Sequence, residues 1–147
     1  MKSLPEQRRQ LRRLYIDPSA YLCMLLAQDG AERLSKETAG AELLSSVLLV
    51  LEARRNLVRL ARESQLQPSQ YKACIDRLEQ DMALFIFRNL SLELCESGAL
   101  PAVATPRSLD LVHLRTALWF HAAQEIDRFV TLDVSQEQAA KELGLPV

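Results

Sequence analysis

Leu14-Tyr15-Ile16-Asp17-Pro18-Ser19 is a short apolar run closed by an acid, a proline and a serine. The first three residues suit an extended strand. Pro18 suits the first turn of a helix, and Asp17 before it suits the cap. A strand that passes directly into a helix is the building unit of a parallel sheet, and the pattern recurs. Leu43-Leu44-Ser45 precedes a helix expected over Val47 to Arg62, and Leu84-Phe85-Ile86-Phe87 precedes a short one over Ser91 to Ser97. A fourth strand within Ile126 to Leu132 precedes a helix opened by a Ser135-Gln136-Glu137-Gln138 capping box and ended by Gly144. Further helices are expected over Ala20 to Gln28, Ala31 to Thr38, Pro68 to Asp81, and from the Thr105-Pro106 cap to Ala123. Short apolar strands alternating with helices specify an α/β fold with a mainly parallel sheet, whose ligands bind beyond the carboxyl ends of the strands.

The chain has 147 residues, enough for one domain. A domain of this size buries roughly 70% of its unfolded surface, so it needs no covalent staples. Residues 1–13 read as a basic N-terminal extension, with Arg8, Arg9, Arg12 and Arg13 as an exposed cluster, and residues 14–147 as a single domain. A net charge of −1 excludes a uniformly basic nucleic-acid coat and leaves local patches open. Cys23, Cys74 and Cys95 are odd in number and form no CxxC pair, which suits buried free thiols in a reducing compartment. The N-terminus lacks the apolar core of a signal peptide, and no uncharged apolar stretch reaches the ~18 residues of a membrane span. These features predict a cytoplasmic protein without a membrane anchor.

Four acids break the surrounding pattern. Asp17 ends the first strand, and Glu52 interrupts Val47-Leu48-Leu49-Val50-Leu51. Asp110 sits inside its helix on a stripe with His113, Leu114 and Ala117, and Asp133 follows Phe129-Val130-Thr131-Leu132. Each has a plain explanation: Asp17 and Asp133 as caps, Glu52 as the partner of Arg55 or Asn56. Asp110 resists one, because a buried carboxylate requires a partner. If the four converge at one sheet edge, two carboxylates ~4 Å apart repel by about 4 kcal/mol at an effective dielectric near 20. A divalent cation relieves such repulsion, and an all-oxygen donor set suits Mg²⁺ or Mn²⁺ rather than Zn²⁺.

These segments resemble a known family. Tyr15-Ile16-Asp17-Pro18-Ser19-Ala20 is similar to the opening strand of PIN domains, and Ser45-Ser46-Val47-Leu48-Leu49-Val50-Leu51-Glu52-Ala53-Arg54-Arg55 to the segment carrying their second acid. Thr105 to Ala117, with Leu109-Asp110-Leu111-Val112-His113-Leu114, resembles the Leu-Asp-x-x-His-Leu segment of VapC-like toxins. Phe129 to Asp133 with Ala139 to Leu145 resembles the closing strand and helix. The resemblance implies a three-layer α/β/α fold around a four- to five-stranded sheet. It also implies a Mg²⁺- or Mn²⁺-dependent endoribonuclease, the toxin of a VapBC-type toxin–antitoxin pair. Asp17, Glu52, Asp110 and Asp133 would be catalytic and hold the metal, with Ser19 and Thr131 as auxiliary groups. RNA would be the substrate, a small antitoxin protein the partner, and a homodimer the assembly. The alternatives are a catalytically silent PIN scaffold binding RNA or protein, and an RNA-processing PIN nuclease without an antitoxin. Pro18 departs from the family, which usually has a small polar residue there, and Arg115 replaces a commonly small one.

Arg55, Arg59 and Arg62 share one helix face and form a candidate surface for RNA phosphates, alongside the plainer reading of a solvated face. His113 is expected to be packed or hydrogen-bonded rather than a ligand. Trp119, Phe120, Phe85 and Phe87 are expected in the core or at contacts between copies.

Overall fold

The structure, a computed structural model, describes residues 10–96, 103 and 107–147. Its elements run β1 (Arg13–Ile16), α1 (Pro18–Leu25), α2 (Ala31–Thr38), β2 (Glu42–Ser46), α3 (Leu48–Arg62), α4 (Pro68–Met82), β3 (Phe85–Arg88), α5 (Leu92–Glu96), α6 (Ser108–Ala123), β4 (Arg128–Val130) and α7 (Val134–Glu142). The strands form one sheet in the order β3-β2-β1-β4, and every pairing is parallel. The fold class is therefore α/β with a four-stranded parallel sheet among the described residues.

Strand alternation builds the three layers. Leu14, Ile16 and Val130 point to one face, where they pack with Ala20, Tyr21 and Cys23 of α1, Leu34 of α2, Leu49 and Ala53 of α3 and Leu78 of α4. Tyr15, Leu44 and Phe129 point to the other, against Leu114, Ala117 and Phe120 of α6 and Ala139 and Ala140 of α7. Each short strand is thus buried on both sides, which is why its sequence reads as a continuous apolar run rather than an alternating one.

The order of the strands locates a crevice. β2 and β3 extend the sheet on one side of β1, and β4 joins it on the other. The helix leaving β1 packs on one face and the helix leaving β4 on the opposite face. Their starts diverge beyond the carboxyl ends of adjacent strands, the position where open α/β sheets receive ligands. Asp17 and Thr131 stand there.

Several expectations are corrected. β1 begins at Arg13, one residue inside the segment expected to be an exposed basic arm. Arg13 is buried, its N–H donates to Asp127 Oδ2 at 2.7 Å, and its guanidinium bonds to the carbonyl of Gln124. Arg8 and Arg9 lie outside the described residues, as do Thr105 and Pro106. α6 starts at Ser108, so Asp110 belongs to its first turn, where the helix dipole favours an acid, and not to its interior. α7 is capped by Asp133 and not by Ser135: the Asp133 carboxylate accepts from the N–H groups of Ser135 and Gln136. Of the three thiols only Cys23 is buried, while Cys95 is exposed. Among the described residues no helix is long and apolar enough to cross a membrane.

Candidate functional site

Asp17 is held at the carboxyl end of β1 from two directions. Its backbone N–H donates across to Val130 at 2.9 Å, which extends the β1–β4 pairing by one rung. Its side chain is 4% exposed, and one oxygen takes all its hydrogen bonds. Oδ2 accepts from Ser19 Oγ at 2.7 Å, from Thr131 Oγ1 at 3.0 Å and from the Ser19 N–H at 3.4 Å. Ser19 Oγ in turn accepts from the Leu132 N–H at 3.0 Å, and Thr131 Oγ1 from the Asp133 N–H at 3.1 Å. Both hydroxyls thus brace Asp17, and that of Thr131 also holds the Asp133 N–H. Pro18 occupies the first helical position, whose N–H has no partner within a helix, so its missing donor is not a loss to α1.

The other acids come from three further segments. Glu52 does not pair with Arg55 or through its side chain with Asn56; Asn56 donates only to its backbone carbonyl. Its Oε2 instead lies 3.1 Å from His113 Nε2 on α6. Asp110 occupies the third position of α6, and its carboxyl accepts no hydrogen bond from the described residues. Asp133 uses Oδ1 as the α7 cap, at 2.9 Å and 3.1 Å from the two N–H groups. Three of the acids thus share one arrangement. Each has one oxygen held by the protein, while Oδ1 of Asp17, Oε1 of Glu52 and Oδ2 of Asp133 accept nothing among the described residues.

The four carboxyls share a field. Burial pushes Asp110 above the usual carboxylate range, and the charges of Asp17, Asp133 and Glu52 push it further, with His113 acting in the opposite sense. Burial also raises Asp17, against the charge of His113 and the hydrogen bonds from Ser19 and Thr131. The acids are close enough for Asp110 to feel the other three, yet among the described residues no three His, Cys, Asp or Glu side chains stand as a closed ligand set. The field shows that the other three acids lie within electrostatic range of Asp110. In donor chemistry the site fits a hard divalent cation: oxygen only, with unengaged oxygens left over.

The raised values fix the sign of a pH dependence. Asp17 and Asp110 bind protons more tightly in the folded chain than in the unfolded one. The contribution to stability is therefore complete below the ordinary carboxylate range, and it is lost as pH rises through the raised values. Metal-free Asp110→Asn is expected to melt above the wild type at pH 7 and to converge with it below about pH 4. Melting curves across that range check it; a wild type that melts higher at pH 7 contradicts it.

Asp133 has two separable roles. Asp133→Ala should destabilise the fold by about 0.5–2 kcal/mol through loss of the cap, while Asp133→Asn, an equally good cap, should melt like the wild type. Thermal denaturation of the pair distinguishes them.

The arginine surface is only partly available. Arg55, Arg59 and Arg62 are exposed, but Arg59 is engaged with Glu63 at 3.2 Å and Asn56 at 3.1 Å. Two residues at the site carried no sequence signal. Tyr15 is fully buried and places its hydroxyl 2.8 Å from His113 Nδ1. Gln136, 2% exposed, donates from Nε2 to the Asp110 carbonyl at 2.9 Å and so joins the starts of α6 and α7. A buried tyrosine in a strand does demand a hydrogen-bond partner, which is the one hint available.

No protein-family model and no curated protein matches the chain.

Proposed function

We propose that the chain is a Mg²⁺- or Mn²⁺-dependent endoribonuclease with a PIN-type site, acting as the toxin of a VapBC-type pair. One observation carries the reading: the Asp110 carboxyl is raised by burial and by the charges of Asp17, Asp133 and Glu52, which with Asp110 make four acids drawn from four separate segments. Such a set is unfavourable for an apo fold and useful to a cation-binding one. When bound, a divalent cation polarises a phosphodiester and supplies a hydroxide from water near neutral pH. The chain's own part is to orient. Ser19 and Thr131 fix Asp17, His113 fixes Glu52, and the α7 N-terminus fixes Asp133. Asp110, without a hydrogen bond of its own among the described residues, is left to the cation.

The antitoxin part of the proposal has separate support. Leu51, Leu109, Leu132 and Val134 are all exposed, Val134 by 82%, and each is a chain neighbour of one of the acids. Apolar side chains beside an acidic centre suit a protein segment that covers it. A homodimer in solution is proposed as well. It is supported by the edge strand β3, where Ile86 is exposed, and by the exposed Leu84 and Leu90 that flank it. Incubating the purified chain with a structured RNA, with Mn²⁺ and with a chelator, tests the activity. Cleavage that depends on the metal is expected. RNA left intact under both conditions contradicts the proposal.

A further inference from the structure

Glu52 and His113 belong to opposite helical layers. α3 packs through Leu49 and Ala53 on the face that carries Leu14 and Ile16, whereas α6 packs through Leu114 and Ala117 on the face that carries Tyr15. Their side chains nonetheless meet at 3.1 Å, 61 residues apart in sequence. This contact is a tie between the two layers, made beside the acids and not within either core.

The bonding pattern dictates which ring nitrogen carries the proton. A carboxylate only accepts, so His113 must donate to Glu52 from Nε2. In the neutral ring Nδ1 is then an acceptor, and the group facing it is the Tyr15 hydroxyl at 2.8 Å. Tyr15 can donate because His113 Nδ1 is the one hydrogen-bond partner of its hydroxyl among the described residues; the nearby Ser45 and Thr116 hydroxyls give their protons to the carbonyls of Ile16 and Val112. The ring of Tyr15 is locked in turn by stacking on Phe129 at 5.3 Å and by contact with Phe120 at 6.3 Å. In either protonation state Nε2 donates to the α3 carboxylate; in the neutral ring the Tyr15 hydroxyl donates to Nδ1, and in the charged ring Nδ1 donates to the Tyr15 oxygen. Packing alone would not require it: an apolar side chain of similar volume fills a 1% exposed position equally well.

We propose that His113 is a positioning residue for Glu52, its Nε2–H fixing one carboxylate oxygen so that the other is presented to a divalent cation, with Tyr15 fixing the imidazole tautomer. The inference rests on the cation-binding reading of the acidic site and assigns that site a supporting relay. Partners of this kind orient the ligands they touch, and their loss weakens metal binding by about 10–100-fold.

The test is calorimetric titration of the full chain with Mn²⁺, with circular dichroism as the check on folding. His113→Leu, which keeps volume and removes the donor, should weaken Mn²⁺ binding by about 10–100-fold. His113→Gln, whose amide nitrogen replaces the Nε2 donor, should recover most of that loss. Tyr15→Phe, which deletes one oxygen and keeps the ring stack, should weaken binding by less and shift the His113 ¹⁵N resonances away from the Nε2–H tautomer. It also serves if His113→Leu does not fold. Equal binding by wild type and His113→Leu, or equal loss in the Leu and Gln variants, overturns the positioning role while leaving the cation site intact. A wild type that binds no Mn²⁺ overturns the site reading itself and the relay with it.

Discussion

Asp110→Asn is expected to fold as the wild type does and to lose metal-dependent RNA cleavage by more than about 100-fold, beyond the range seen when only a supporting partner of a ligand is removed. The fold should survive because the carboxyl makes no hydrogen bond to the described residues and sits half-buried in the first turn of α6, before its fully buried positions begin at His113. Neutralising it removes an acid whose proton affinity is raised by three neighbouring carboxylates, so the apo protein loses a repulsion. Asp17→Asn should behave alike in activity, although its closer bonds to Ser19 and Thr131 make it the less conservative change. Cleavage rates of both variants, with far-ultraviolet dichroism, decide the matter. Full activity in both would show that these acids are not the reacting centre.

The second large effect is stabilisation by the cation. A ligand that binds only the folded state at about 100 times its dissociation constant adds about 2.7 kcal/mol. For a chain of this length that corresponds to a rise of about 5–11 °C in melting temperature. The rise should be largest near neutral pH, where the acids are ionised, and should fade as they protonate, because the cation and the protons compete for the same oxygens. It should also be much reduced in Asp110→Asn. Mn²⁺ titrations followed by thermal melts supply the comparison. A shift of equal size in wild type and variant would place the cation elsewhere.

Local chemistry made much of the architecture legible. α2 falls where Gly30 and Gly40 bracket it, both with positive φ. α1 begins where Asp17 and Pro18 say it should, because a cap and a fixed φ act within three residues. The four strands were found as apolar runs, each displaced by a residue or so at its ends. Where several local signals competed, the wrong one prevailed. Ser135 and Gln138 offered a complete capping box, but Asp133 stands two residues earlier and leads α7 directly out of β4. Thr105-Pro106 offered another start, whereas α6 begins at Ser108.

Long-range pairings left no trace in the sequence. Arg13 looked like the end of a basic arm, since nothing nearby shows that Asp127 and Gln124 lie across the sheet from it. The partner of Glu52 was sought on its own helix, at Arg55 or Asn56. The histidine that binds it comes from another layer, where only the folded topology brings it within reach. The acids themselves were visible as exceptions to the apolar pattern. Their common field was not, because it depends on the order β3-β2-β1-β4.

Paramagnetic broadening by substoichiometric Mn²⁺ in a ¹H–¹⁵N spectrum tests that common field most directly. Four stretches distant in sequence should lose intensity together: the amides of Ser19, Ala53, Leu111 and Asp133. Gly40 and Gln124, before the amino ends of β2 and β4, should stay sharp. Broadening confined to one of the four stretches, or scattered over the surface without them, would contradict a shared cation site.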